Sequence, residues 1–257
     1  MQSELVFPVS VLYSFLLVLV RIGGVIVFVP FPGLLNSPSI ARAALAICCT
    51  IALFSRWPQV SGDIPIATLI AWILPEAAMG ILAGVSVSFI AEAFVMGAQI
   101  LSLQAGYGYA STIDPATQAD SGILQIIAQL FAGLLFFCFG LDRQVFQIFA
   151  RSLEVYPPGT FSLTRPMATE LIRLGSNIFS VGLRLALPVV GLLLMVDLAL
   201  ALIGRLNAHV QVTTISFPIK MLLTLAFLAA LVSLWPSIYK GLAGTSFDVV
   251  KRFLLAR

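Results

Sequence analysis

The chain has 257 residues, 60% hydrophobic and 10% charged, with a formal net charge of +3 and a mean hydropathy of +1.07. A soluble chain carries about a quarter charged residues, and a globule of this size cannot hide so much apolar surface in its core. The composition therefore excludes a water-soluble globule and predicts an all-α, polytopic integral membrane protein; the few scattered cations also exclude a nucleic-acid footprint, which needs a clustered basic face.

The first apolar run, Val9 to Val29, is broken only by Arg21 and the pair Gly23-Gly24. Its length of about 20 residues suits a hydrocarbon core of about 30 Å. The preceding Met1-Gln2-Ser3-Glu4 lacks the basic region of a secretory signal, so the run is predicted to remain as an uncleaved first helix. Pro30-Phe31-Pro32-Gly33 ends it, because Pro cannot continue a helix and Gly turns the chain. Ala41 to Phe54 follows, with Arg56-Trp57-Pro58 as an interfacial terminus. The apolar tract from Ile64 to Leu103 is too long for one upright span and is predicted to form two helices or a hairpin.

Gly106 to Gly122 is polar, holds Asp114 and Asp120, and has no Lys or Arg. Ile123 to Leu141 is the next span. Asp142 to Asn177 reads as a polar connection with Arg143, Arg151, Arg165 and Arg173. Ile178 to Gly204 and Met221 to Tyr239 are the last two spans, before a tail with Lys240, Lys251, Arg252 and Arg257. Positive charge marks the cytoplasmic side, which puts the four-arginine connection and the tail inside and the 106–122 segment outside. The expectation is one membrane domain over residues 1–257, with six or seven hydrophobic helices forming hairpins.

Charges inside membrane helices cost several kcal/mol unless they face protein, water or a partner. Arg21, Glu92, Arg184 and Asp197 sit deep in their runs and are candidates for interhelix pairing, while Glu76 and Lys220 either pair or snorkel. Arg184 and Asp197 are thirteen residues apart on one helix, on different faces, so each needs another partner; Pro188 between them should kink that helix. Glu76, Gly80, Gly84, Ser88 and Glu92 recur every four residues. That row slants around a helix and favours a close crossing through its small members.

No HExxH, GxSxG, Walker A or paired-carboxylate motif occurs, and Gly106-Tyr107-Gly108 lacks the third glycine of a dinucleotide fingerprint. Cys48, Cys49 and Cys138 lie in apolar runs and read as buried small hydrophobes, and His209 has no cysteine near it. No catalytic, cofactor or metal site is expected.

Several segments in order carry a family likeness: Arg21-Ile22-Gly23-Gly24, Pro30-Phe31-Pro32-Gly33, Pro38 and Arg42; then Ala110-Ser111-Thr112-Ile113-Asp114-Pro115; then Tyr156-Pro157-Pro158-Gly159; then Ala186-Leu187-Pro188, Asp197, Gly204-Arg205 and Phe217-Pro218-Ile219-Lys220. The set resembles the FliR family of flagellar type III export-gate proteins (SctT in injectisomes) over essentially the whole chain. Ala208, His209 and Gln211 depart from that pattern after Arg205, as does Leu141-Asp142 after the preceding span.

The resemblance implies a subunit of a protein-export gate in the bacterial inner membrane, at the flagellar basal body. It implies FliP-like and FliQ-like partners, adjoining FlhB-like and FlhA-like components, and unfolded export substrates passing through. It further implies that the loop from Gly106 through Tyr107, Gly108, Ala110, Asp114, Pro115 and Asp120 to Gly122 helps plug the closed pore. Arg21, Glu76, Gly80, Gly84, Ser88, Glu92, Arg184, Asp197, Arg205 and Lys220 are the candidate buried charges and interface positions. The competing expectations are an injectisome gate subunit and a small-solute secondary transporter, the latter drawn from the midspan charges and Pro188.

Overall fold

The structure, a computed structural model, describes residues 9–30, 38–60, 64–107, 122–206 and 212–255. Among these residues every regular element is helical. They form α1 (Val9–Phe28), α2 (Ser39–Ala52), α3 (Ile66–Ala105), α4 (Ile123–Cys138), α5 (Leu141–Val155), α6 (Arg165–Leu206), α7 (Val212–Leu231) and α8 (Trp235–Leu255), with short 3-10 turns at Phe54–Arg56 and Val232–Leu234. Among the described residues four stretches are long and apolar enough to cross a membrane: Val9–Phe28, Ile66–Ala105, Arg165–Leu206 and Ile215–Leu255. A fifth is present if α4 and α5 count as one broken crossing. Gly140, with φ +64°, sits at that break, where its left-handed backbone ends one helix and opens the next.

The chain is divided differently from the sequence expectation in two places. The 64–103 tract is not a hairpin: α3 is one helix of 40 residues, about 60 Å long. It contains no turn chemistry, its glycines keep helical backbone, and Pro75 costs it a single ladder bond. The polar connection expected from 142 to 177 is mostly helix, with only 156–164 irregular. Leu141, Val145, Ile148, Phe149, Ser152 and Leu153 recur at helical spacing and bury one face of α5, leaving Arg143 and Arg151 outside. α6 then begins at Arg165 and runs 42 residues with Pro188 inside it.

The fold resolves into two compact units. The first holds Met1–Phe89, Phe136–Leu174 and Ala243–Arg257. Its core packs Val18, Ile22 and Ile26 of α1 against Ala46 of α2 and Leu153 of α5. A second cluster joins Leu174 of α6 to Val249 and Phe253 of α8. The second unit holds Ile90–Leu135 and Gly175–Leu242. Here Phe94 of α3 meets Trp235 and Tyr239 of α8 at ring separations of 5.4 Å, and Phe131 of α4 stacks edge-on to Trp235 at 5.2 Å. Cys48 and Cys138 are exposed and Cys49 is half-buried, a correction to their reading as buried residues; helical phase turns them outward.

In the first unit α1 and α3 cross on glycine. A Cβ on Gly24 would lie 2.9 Å from the Ile81 amide nitrogen, one on Gly84 would lie 3.0 Å from the Gly24 carbonyl oxygen, and one on Gly80 would overlap the Arg21 carbonyl. All these neighbours are backbone and cannot step aside. Gly80→Ala is therefore expected to destabilise the protein by about 1–3 kcal/mol. Gly23, with nothing within 4 Å, is the control: Gly23→Ala should be neutral or gain up to about 1 kcal/mol from helix propensity. Thermal unfolding in detergent separates the two, and equal midpoints for Gly80→Ala and the parent would refute the tight crossing.

Candidate functional site

The glycine crossing sets two charges against each other. Arg21 and Glu76 are each 1% exposed. The guanidinium donates from Nε to Glu76 Oε2 at 2.5 Å and from Nη2 to Oε1 at 2.9 Å, the paired geometry that makes arginine–carboxylate contacts strong. Two more donors are used: Nη1 reaches Ser152 Oγ of α5 at 3.2 Å, and Nη2 reaches the Tyr156 carbonyl at 3.1 Å. The Ser152 hydroxyl in turn donates to the Phe149 carbonyl at 2.8 Å. One arginine thus ties together α1, α3, α5 and the turn that follows α5.

That turn is Tyr156-Pro157-Pro158-Gly159. Gly159 has φ +78°, a region open to glycine, and the Trp72 ring of α3 lies where any Cβ would stand. The Gly159 amide points at Glu76 Oε1 from 3.4 Å, and Tyr156 and Phe161 meet edge-on at 5.9 Å. The turn is therefore seated on the ion pair from above its carboxylate, by backbone groups at both of its ends.

A second group of candidate residues lies in the second unit. Gly106, φ +85°, ends α3 with the Phe217 ring of α7 packed where its Cβ would be, 2.6 Å from Cδ1. The Tyr107 amide bonds back to the Ser102 carbonyl at 3.0 Å, and its phenol donates to the Met221 carbonyl at 3.1 Å. Desolvation raises the Tyr107 pKa, which keeps the phenol protonated and able to donate. At the other end Gly122 also meets Ser102: a Cβ there would lie 2.8 Å from Ser102 Oγ. Both ends of the 106–122 segment are thus fastened to the last turns of α3. Gly108, Ala110, Asp114, Pro115 and Asp120 lie outside the described residues.

Lys220 of α7 pairs with Asp197 of α6. Of the four-residue row on α3, Glu76, Gly80 and Gly84 meet α1, whereas Ser88 is half-buried and bonds its own helix at Val85 O, 2.9 Å away. Glu92, Arg184 and Arg205 are exposed rather than buried within this chain. Gly182 and Leu185 are the residues of α6 that contact α3 at Gly97. At about 100° per residue, Arg184 therefore points to the opposite side of its helix.

The sequence singled out Arg21, Glu76 and the Tyr156-Pro157-Pro158-Gly159 turn separately, with no signal that they meet. Ser152 and Trp72 escaped notice altogether, and Phe217 was noted only within the family-like run; each is an ordinary residue whose role comes from a partner more than 80 positions away.

Removing one partner of a buried pair strands the other. Glu76→Ala is expected to cost about 3–5 kcal/mol, while Arg21→Met together with Glu76→Met recovers most of that loss. Thermal midpoints of the two single variants and the double variant in detergent measure this; a double variant no better than the worse single one would show that the pair contributes more than mutual neutralisation.

Residues 12–245 match the family described as bacterial export proteins, family 1. The chain is 29% identical over 218 residues to flagellar biosynthetic protein FliR of Escherichia coli (strain K12), covering 84% of this chain and 83% of that protein. It is 22% identical to flagellar biosynthetic protein FliR of Bacillus subtilis (strain 168) over 249 residues, 94% of both chains. It is also 25% identical over 205 residues to the surface presentation of antigens protein SpaR of Salmonella typhimurium, covering 78% and 75%.

Proposed function

The chain belongs to the bacterial export proteins of family 1, and from that premise we propose that it is the FliR-like subunit of a flagellar type III export gate. It is a multi-pass protein of the bacterial inner membrane and a component of the export apparatus. The observation that carries this reading is the match from residue 12 to residue 245, together with relatives named for flagellar biosynthesis along nearly the whole length. The fold supports it physically. Long apolar helices leave broad hydrophobic faces uncovered, as in α6, where only 17% of the most apolar window is buried. Such a chain is built to be walled in by other subunits.

Its role is structural, forming part of the wall around a path for unfolded flagellar proteins rather than catalysing a reaction. FliP-like and FliQ-like subunits complete the wall, with FlhB-like and FlhA-like components adjoining. The 106–122 segment is the movable closure. Support comes from its two ends: Gly106 lies under Phe217 and Tyr107 donates to the Met221 carbonyl, both on α7, while Gly122 lies against Ser102 of α3.

A second reading, an injectisome gate subunit, is favoured by the likeness to SpaR. Deleting the chromosomal gene and restoring it tests the choice: loss and recovery of motility is the flagellar outcome, and unchanged swimming refutes it. The tagged chain purified from its native membrane should bring FliP-like and FliQ-like subunits with it; recovery alone, without them, sinks the gate assignment. Deletion of 106–122 should raise the ion conductance of the closed gate, and an unchanged conductance removes the closure role.

A further inference from the structure

One turn of α7, Phe217 to Met221, meets two different helices. Towards α3 it presents Phe217, whose ring stands where a Cβ on Gly106 would, and Met221, whose carbonyl accepts the Tyr107 phenol at 3.1 Å. Towards α6 it presents Lys220, which pairs with Asp197. Phe217 and Met221 are four residues apart and share a side of the helix, while Lys220 stands about 60° round from the first and about 100° from the second. The same turn thus holds the end of α3 with one side and α6 with its flank.

The helix ladder alone does not fix that turn. Pro218 lies inside it and donates no backbone bond, which loosens α7 on the side of its start. The Thr224 hydroxyl donates to the Lys220 carbonyl at 2.7 Å, the kind of back-bond that bends a helix. Lateral contacts therefore decide where the turn sits, and Asp197 supplies the charged one. The Lys220 side chain is 13% exposed and belongs to a stretch apolar enough to span a membrane. An unpaired ammonium there costs several kcal/mol, and its flexible stem draws it towards water. Without the Asp197 carboxylate, Lys220 turns outward. Phe217 and Met221 swing with it, away from Gly106 and Tyr107.

We propose that Asp197 is a positioning residue for the closure: by holding Lys220 it keeps the Phe217–Met221 turn of α7 seated on Gly106 and Tyr107, and so sets the point at which the 106–122 segment leaves α3. The assignment rests on the closure role proposed above for that segment. It gives the ion pair a task beyond mutual neutralisation, since the pair holds α7 in the one rotation that serves both neighbours.

The gate is purified from native membranes through the tagged chain, and its closed-state ion conductance is measured in liposomes. Asp197→Asn keeps the shape of the side chain and removes its charge; it is expected to raise the conductance by about tenfold while recovering partner subunits as the parent does. Exchanging the charges, Asp197→Lys with Lys220→Asp, should bring conductance back to within about twofold of the parent. Tyr107→Phe should leak by itself, and adding Asp197→Asn to it should raise the leak little further, because both act through one seat. Parent-like conductance in Asp197→Asn overturns the assignment, as does an exchange that leaks as much as Asp197→Asn or a leak that is additive with Tyr107→Phe. A leak that comes with lost partner subunits overturns it too, since a pair that only holds the fold gives that result. Should Asp197→Asn not accumulate, the exchange and Tyr107→Phe decide: a leaky exchange or a tight Tyr107→Phe overturns it. Deletion of 106–122 separates the two readings. An unchanged conductance there sinks the closure role and this assignment with it, whereas a leaky deletion beside a tight Asp197→Asn sinks this assignment alone.

Discussion

Arg21 and Glu76 meet in a place from which water has been removed, and each would cost several kcal/mol to bury alone. Their attraction repays that cost only with good geometry and with the spare donors satisfied. Two backbones must therefore come unusually close, and Gly24, Gly80 and Gly84 make that possible by bringing α1 and α3 together without side chains between them. Three further groups must then be delivered to the same point from distant sequence: Ser152, the Tyr156 carbonyl and the Gly159 amide. The position of α5 and the form of the turn after it both follow from completing this one network. A fault in any member would leave a polar group unmatched in an apolar surround, which makes the arrangement cooperative.

The second unit uses the same device without buried charge at the crossing. Gly97 of α3 and Gly182 of α6 meet so closely that a Cβ on Gly97 would lie 3.1 Å from the Gly182 carbonyl oxygen. Between apolar helices in an apolar solvent, contact gains little from leaving the surroundings; close van der Waals packing and shared hydrogen bonds have to supply it. Glycine therefore marks where helices touch, and the aromatic group of Phe94, Phe131, Trp235 and Tyr239 fills space where they stand farther apart.

Membrane class and helical content were legible in the sequence, because a period of apolar runs survives any tertiary arrangement. Boundaries were not. The 64–103 tract was expected to break on length alone, but length by itself ends no helix, and α3 runs through it without a turn. The stretch 142–177 with its four arginines read as a polar connection, yet α5 places Arg143 and Arg151 on one side of an amphipathic helix. Arg21 and Glu76 each announced themselves as charges in apolar runs; their pairing did not, since 55 residues separate them and no local pattern encodes the encounter. The fastening of the 106–122 segment was equally silent, because Ser102, Phe217 and Met221 act there through packing and main-chain groups whose residue type says little.

The treatment of charge divides the chain into what it completes itself and what it leaves to others. Arg21 with Glu76 and Lys220 with Asp197 are neutralised within single units, and these pairs fix which helices are neighbours. Glu92 and Arg184 are left on open faces of helices apolar enough to span a membrane. A protein that had to stand alone in lipid would gain by replacing both with leucine, since an unpaired charge there costs several kcal/mol and supports no contact of the fold. In an assembling subunit the same charges disfavour every neighbour that lacks the complementary group, and so discriminate among apolar surfaces that hydrophobicity alone cannot tell apart.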